Sequence, residues 1–126
     1  MNDDDKAIYL ANVYHLLVAN GELDRLEERV FEEIRRNLRA GYFETKKAKE
    51  LALKQGFQVA LVGRWSNRIA NLEDMLFAAF SDGVFDKEEK KAVQDYAKKL
   101  GISQAEFDIV KTETKQRYKD FKATTI

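Results

Sequence analysis

A chain of 126 residues, 44% hydrophobic and 35% charged, has enough apolar material for one core and more charge than an average globular domain. Its 22 basic and 22 acidic residues cancel, which argues against a protein that coats nucleic acid along its length. The absence of cysteine excludes disulfides, thiolate metal sites and cysteine catalysis, the single histidine excludes a multi-histidine zinc site within one chain, and the absence of proline leaves six glycines as the main helix breakers.

The start, Met1-Asn2-Asp3-Asp4-Asp5, does not follow a signal-peptide pattern, and no apolar run approaches the roughly 20 residues of a membrane span. With no cysteine either, the cytoplasm is the expected compartment. Asp3 to Asp5 stand at the positive end of a first helix whose apolar run extends from Ala7 to Ala19. Only Asn12 and His15 interrupt the run, so this helix is expected to be buried around most of its circumference, with one narrow polar stripe. Asn20-Gly21 stops it. Asp24 with Glu27 makes a capping box for a second helix, which carries Leu26, Val30, Phe31, Ile34 and Leu38 at the helical period and ends at Gly41. The spacing predicts a third helix over 45–54, closed by Gly56, and a fourth over 58–68 with Val59, Leu61, Val62, Trp65 and Ile69 facing inward. Asn71 with Asp74 is expected to open a fifth, carrying Leu72, Met75, Leu76, Phe77 and Phe80 to a stop at Asp82-Gly83. Asp86 with Glu89 opens a sixth through Val93, Tyr96, Ala97 and Leu100, ended by Gly101. Ser103 with Glu106 opens a seventh through Phe107, Val110, Thr114, Tyr118 and Phe121. The expectation is an all-α single domain over 1–126, a bundle of about seven helices joined by short turns, with no alternating stretch competing for a strand.

At an offset of 62 the chain echoes itself: Leu10 falls on Leu72, Gly21 on Gly83, Asp24 on Asp86, Glu27 on Glu89 and Leu38 on Leu100. Two related helical hairpins are expected from this, although capping chemistry alone also selects Gly, Asp and Glu at such places. The shared turn is similar to the second half of an EF-hand loop. An EF-hand also needs oxygen ligands two and four residues earlier. Those places hold Val18 and Leu16 in one copy and Phe80 and Ala78 in the other, which excludes a true EF-hand. Six carboxylates remain as metal candidates: Glu22, Asp24 and Glu27 at the first turn, Asp82, Asp86 and Glu89 at the second. Oxygen-only ligands select Ca²⁺ or Mg²⁺, and binding would be weak, on the order of 10⁻⁴ to 10⁻³ M. The bland reading makes Asp24, Glu27, Asp86 and Glu89 helix caps.

Charge is unevenly spread. Residues 1–34 hold 9 acids and 3 bases, residues 35–70 hold 2 acids and 9 bases, and residues 71–126 hold 11 acids and 10 bases. Within the basic middle, Arg64-Trp65-Ser66-Asn67-Arg68 with Lys46, Lys47 and Lys54 could form a nucleic-acid or phospholipid surface, since bases stack on Trp and phosphates pair with Arg. By its spacing from Val62 and Ile69, however, Trp65 belongs in the core, and the lysines read as a solvated face. Met75, Phe77, Phe80 and Phe85 read as core. His15 has no Ser or Cys partner in local spacing, and reads as a partly exposed or seam histidine.

The segments Ala19-Asn20-Gly21-Glu22-Leu23-Asp24 with Glu27-Glu28, Phe80-Ser81-Asp82-Gly83-Val84-Phe85-Asp86 with Glu88-Glu89, and Leu100-Gly101-Ile102-Ser103 with Glu106-Phe107 resemble the motifs of the TerB-like tellurite-resistance-associated family. The resemblance in order and spacing covers residues 8–112. It implies a seven-helix fold, a cytoplasmic bacterial protein without demonstrated catalysis, and divalent-metal affinity near the two acidic turns. A related domain precedes a J-domain in some membrane-anchored co-chaperones, which also implies protein docking. Asn20 stands where the family often has Asp and Val84 where it often has Glu, so each turn lacks one carboxylate. The function expected is therefore a non-enzymatic interaction module of a bacterial stress response, with an unidentified protein partner and weak Ca²⁺ or Mg²⁺ binding. The competing readings are a metal-assisted hydrolase using the same carboxylates, and a nucleic-acid or membrane-surface binder through residues 35–70.

Overall fold

A computed structural model describes residues 1–19, 21–81 and 87–125, with 87–89 and 125 described in backbone only. Among the described residues the chain forms six helices and no strand: α1 (Asp3–Leu17), α2 (Arg25–Leu38), α3 (Tyr42–Leu53), α4 (Trp65–Ser81), α5 (Lys87–Leu100) and α6 (Gln104–Thr125). None of them is long and apolar enough to cross a membrane.

Several helix ends follow from local chemistry. The Asn2 side chain accepts the Asp5 N–H at 2.8 Å and starts α1, with Asp3, Asp4 and Asp5 in the first turn. The Asp24–Glu27 capping box forms as expected: Asp24 accepts the Glu27 N–H at 2.8 Å, and Glu27 accepts the Asp24 N–H at 3.1 Å. Ser103 and Glu106 make the same reciprocal pair at 3.1 and 2.9 Å and open α6. The box expected at Asp86 and Glu89 lies outside the described residues. The end of α2 differs from expectation. Arg39, not a glycine, takes the left-handed conformation at φ 59°, and the Ala40 and Arg39 N–H groups close back on Arg35 and Arg36 carbonyls. Gly41 instead starts α3, earlier than position 45, because the Glu44 carboxylate reaches back to its N–H at 2.6 Å. A Cβ at Gly41 would lie 2.8 Å from that carboxylate oxygen.

The fourth and fifth helices expected over 58–68 and from Asn71 are replaced by a non-helical segment over 57–62 and one helix, α4, that starts at Trp65. Gly63 sits at φ +75°, where a Cβ would come within 2.7 Å of the Asn67 side chain, which accepts the Arg64 N–H and fixes the first turn of α4. Two corrections follow. Trp65, expected in the core, is 55% exposed at the beginning of that helix. Asn71 and Asp74 are not a helix start; they lie inside α4, with Asn71 fully buried.

Each helix of the second half starts 62 residues after its counterpart: α4 after α1, α5 after α2, α6 after α3. Helices α2 and α5 are both 14 residues long, whereas α6 has 22 residues against 12 in α3. The core lies along α1 and α4. Helix α1 packs on α2, α3 and α4, and α4 packs on α1, α2, α5 and α6. Leu10, Val13 and Leu17 meet Val30, Ile34, Leu72, Met75, Leu76 and Val93 in one cluster. Each such side chain contributes about 1.5–3 kcal/mol relative to exposure. The extra length of α6 closes over α4, where Tyr118 and Phe121 pack edge-on against Phe77 at ring distances of 6.0 and 5.3 Å. Met75 and Phe77 are core as expected, Phe80 is half-buried, and Phe85 lies outside the described residues.

Candidate functional site

Helices α1 and α4 cross through polar side chains. Asn12, expected on the narrow polar stripe of α1, is fully buried. Its amide nitrogen donates to the Asn71 side-chain oxygen and to the Ala60 carbonyl, both at 2.8 Å, and its side-chain oxygen accepts the Ala60 N–H at 3.1 Å. Asn71 donates in turn to the Tyr9 carbonyl at 3.2 Å and accepts from the Tyr96 hydroxyl at 3.1 Å. One turn away, the Tyr9 hydroxyl donates to Asp74 Oδ2 at 2.5 Å, and Arg117 of α6 donates to Asp74 Oδ1 at 2.8 Å. The Arg117 guanidinium also lies 4.2 Å from the Phe77 ring centroid.

Burial raises the Asp74 carboxyl above the ordinary carboxylate range, against the pull of the Tyr9 and Arg117 hydrogen bonds. Its neighbour Glu73 is raised too, first by burial and then by the Asp74 charge. Burial, with the adjacent Asp74 carboxylate, pushes the Tyr9 phenol far above its usual range, and burial raises that of Tyr96. Tyr9 therefore stays a donor, and Asp74 is its acceptor. Tyr9 is only 3% exposed and Asn12, Asn71 and Tyr96 are 0% exposed, so the part of the cluster built on these four is closed to solvent, whereas Asp74 and Arg117 keep 15% and 37% of their side chains exposed at its edge. It is a structural junction with its polar atoms mutually satisfied.

The acidic turns are only partly within the described residues. Asp24 and Glu27 are occupied by each other's backbone N–H groups, Glu27 is buried, and Glu22 is exposed. Asp82 and Asp86 lie outside the described residues, as does the side chain of Glu89. Among the described residues no group of three or more His, Asp or Glu side chains is placed to hold a metal ion. His15 is half-buried, its ring 5.2 Å from that of Phe57, in keeping with a seam histidine.

The basic middle builds a surface that its lysines alone do not reveal. Where α2 turns into α3, a groove of about 520 Å³ is lined by Arg35, Gly41, Tyr42, Thr45, Lys46 and Lys49. Arg35 is tied down: it forks onto Glu32 and donates to the Ala40 carbonyl at 2.7 Å. The Glu32 carboxyl is held below its ordinary range by that hydrogen bond. Lys49 lies 5.6 Å from both the Tyr14 and Phe31 ring centroids. Lys46 is exposed, and no described acid pairs with it. Tyr42 lines the groove and is 73% exposed, and Phe43, 79% exposed, stands next to Tyr42 with the two rings 5.5 Å apart. The signal available in the sequence was this adjacent aromatic pair just after Gly41, outside the apolar period of the neighbouring helices. Lys47, one turn beyond Phe43, pairs with Asp4 at 2.8 Å, and Lys6 donates to the Arg39 carbonyl at 3.3 Å, so the start of α1 is tied to α3 and to the end of α2.

No protein-family model, curated protein or solved structure matches this chain.

Proposed function

We propose that the protein is a non-enzymatic binding module of the TerB-like kind, serving a bacterial stress response by docking an acidic partner protein on the α2–α3 groove. The exposure of Tyr42 and Phe43 beside Lys46 and Lys49 carries this reading. Aromatic rings are the side chains whose burial most often anchors an interface, while the surrounding lysines steer an acidic partner and set its orientation. The common 62-residue register of the helix starts supports two related halves, which is the organisation expected from the motif turns. Affinity capture from the native host tests the docking. The wild type is expected to retain one stoichiometric partner, and Tyr42→Ala/Phe43→Ala and Lys46→Glu/Lys49→Glu are each expected to lose it by about tenfold or more, the equivalent of 1.4 kcal/mol. A partner held equally by both variants removes the groove from the proposal.

Weak Ca²⁺ or Mg²⁺ association at Glu22, Asp24, Glu27, Asp82, Asp86 and Glu89 belongs to the same reading. What supports it is the concentration of carboxylates at two repeated turns; what opposes it at the first turn is the use of Asp24 and Glu27 as caps. Millimolar calcium is expected to move the amide resonances of Gly21 and Gly83. If both stay still, the six carboxylates are caps and surface charge only.

A further inference from the structure

Helix α5 faces the non-helical segment before α4 across an open cleft of about 700 Å³ that shares no lining residue with the α2–α3 groove. Its apolar side is Phe57, half-buried, and Val59, 8% exposed, with the His15 ring tilted at 54° to that of Phe57. Its polar side is a single face of α5. Lys91, Asp95, Lys98 and Lys99 fall at i, i+4, i+7 and i+8, so all four line the cleft. None of the three lysines pairs with a described acidic side chain. Three lysines along this face, with one carboxylate among them, give the described lining of the cleft a net positive charge beside an aromatic wall, which an anion relieves. The distance along the helix from Lys91 to Lys98 is about 10 Å, and the volume falls within the range typical of small-molecule sites, roughly 300–1,000 Å³.

We propose that this cleft binds a small molecule carrying a phosphate monoester on a flat aromatic body. The aromatic body lies against Phe57 and His15, the phosphate takes Lys98 and Lys99, and Asp95 accepts from an amino or hydroxyl group of the ligand. Lysine suits this task as a flexible point charge that meets phosphate without a fixed fork geometry. The inference does not depend on the docking groove, since the two share no residue.

The test is an NMR titration of the intact chain with adenosine 5′-monophosphate, phenyl phosphate, inorganic phosphate and adenosine. His15 is the only histidine, so its imidazole resonances report on the cleft without ambiguity. At least one of the two aromatic phosphates is expected to move them and to bind about tenfold more tightly than inorganic phosphate or adenosine, because only the aromatic phosphates engage both walls. Lys98→Gln/Lys99→Gln, both exposed positions, is expected to weaken that binding about tenfold, the loss of one or two charge-assisted contacts. Lys115→Gln/Lys119→Gln, exposed on α6 and outside both the cleft and the groove, is expected to leave it unchanged. If neither aromatic phosphate binds more tightly than inorganic phosphate, or if the Lys98/Lys99 variant binds as well as the wild type, the cleft is not this site. Loss of the partner protein from the α2–α3 groove has no bearing on these outcomes.

Discussion

Asp74 is a carboxylate placed where water reaches it poorly, with 15% of its side chain exposed, and it is kept there by one cation and one phenol. Because burial outweighs those partners, its folded pKa is raised. A group with a raised folded pKa contributes stability that is fully present below its unfolded pKa and is lost as pH rises through the folded value. The stability of the wild type relative to Asp74→Asn is therefore expected to fall as pH rises upward from the ordinary carboxylate range, in urea melts run across a pH series. A difference that grows with pH would mean that Arg117 overrides burial and holds the folded carboxyl down. Taking the difference between two proteins matters, because Asp4, Glu32 and Glu106 are lowered by their own hydrogen bonds and contribute with the opposite sign. Tyr96 read as an inward-facing residue of its helix and is buried, but the polar network it joins was not legible beforehand. Asn12 read as part of a narrow polar stripe because a polar residue on an apolar helix has that default meaning. Asn71 and Asp74 read as a helix start because their spacing matches capping chemistry. What a sequence does not display is that Asn12, Asn71 and Tyr96 bring complementary donors and acceptors from three helices to one buried point.

The segment over 57–62 shows how one residue decides the fate of an element. Its apolar positions, Val59, Leu61, Val62 and then Trp65 and Ile69, suit a helical period, yet the segment is not helical: Val59 and Val62 are buried, Phe57 and Leu61 are half-buried and Trp65 is exposed. Asn12 takes both the N–H and the C=O of Ala60, so neither is free for a helical ladder, and Gly63 then turns the chain into α4. Asn12→Ala is expected to cost about 2–3 kcal/mol, since three hydrogen bonds of a buried amide are lost at once. Hydrogen exchange gives the local readout: the Ala60 amide is expected to lose its protection in the variant while amides in the middle of α2 keep theirs. An Ala60 amide that stays protected would show that packing of Val59 and Val62 holds the segment without Asn12. Elements whose ends are written in short-range chemistry were readable by contrast. The Asp24–Glu27 and Ser103–Glu106 boxes occur where expected, and glycines 21 and 101 follow α1 and α5 with positive φ.

Across the whole molecule, the 62-residue echo reaches beyond the turns in which it is visible. The same offset takes Tyr9 to Asn71 and Asn12 to Asp74, so it exchanges the Tyr9–Asp74 hydrogen bond with the Asn12–Asn71 one. The crossing of α1 and α4 is therefore built from matching positions in the two halves. Surface chemistry breaks the match. Tyr42 and Phe43 at the start of α3 correspond to Gln104 and Ala105 at the start of α6, so the aromatic edge belongs to one half alone. A pair of adjacent exposed aromatic rings beside a groove lined by two lysines and an arginine is what sets the docking proposal apart from scattered surface hydrophobes. The most direct measurement replaces Phe43 with a photo-crosslinking phenylalanine analogue in the native host, with the same replacement at Ile109, 58% exposed, as the control. A single protein adduct of defined size at position 43 and none at 109 is the predicted result; no adduct at 43, or the same adducts at both positions, would contradict the account.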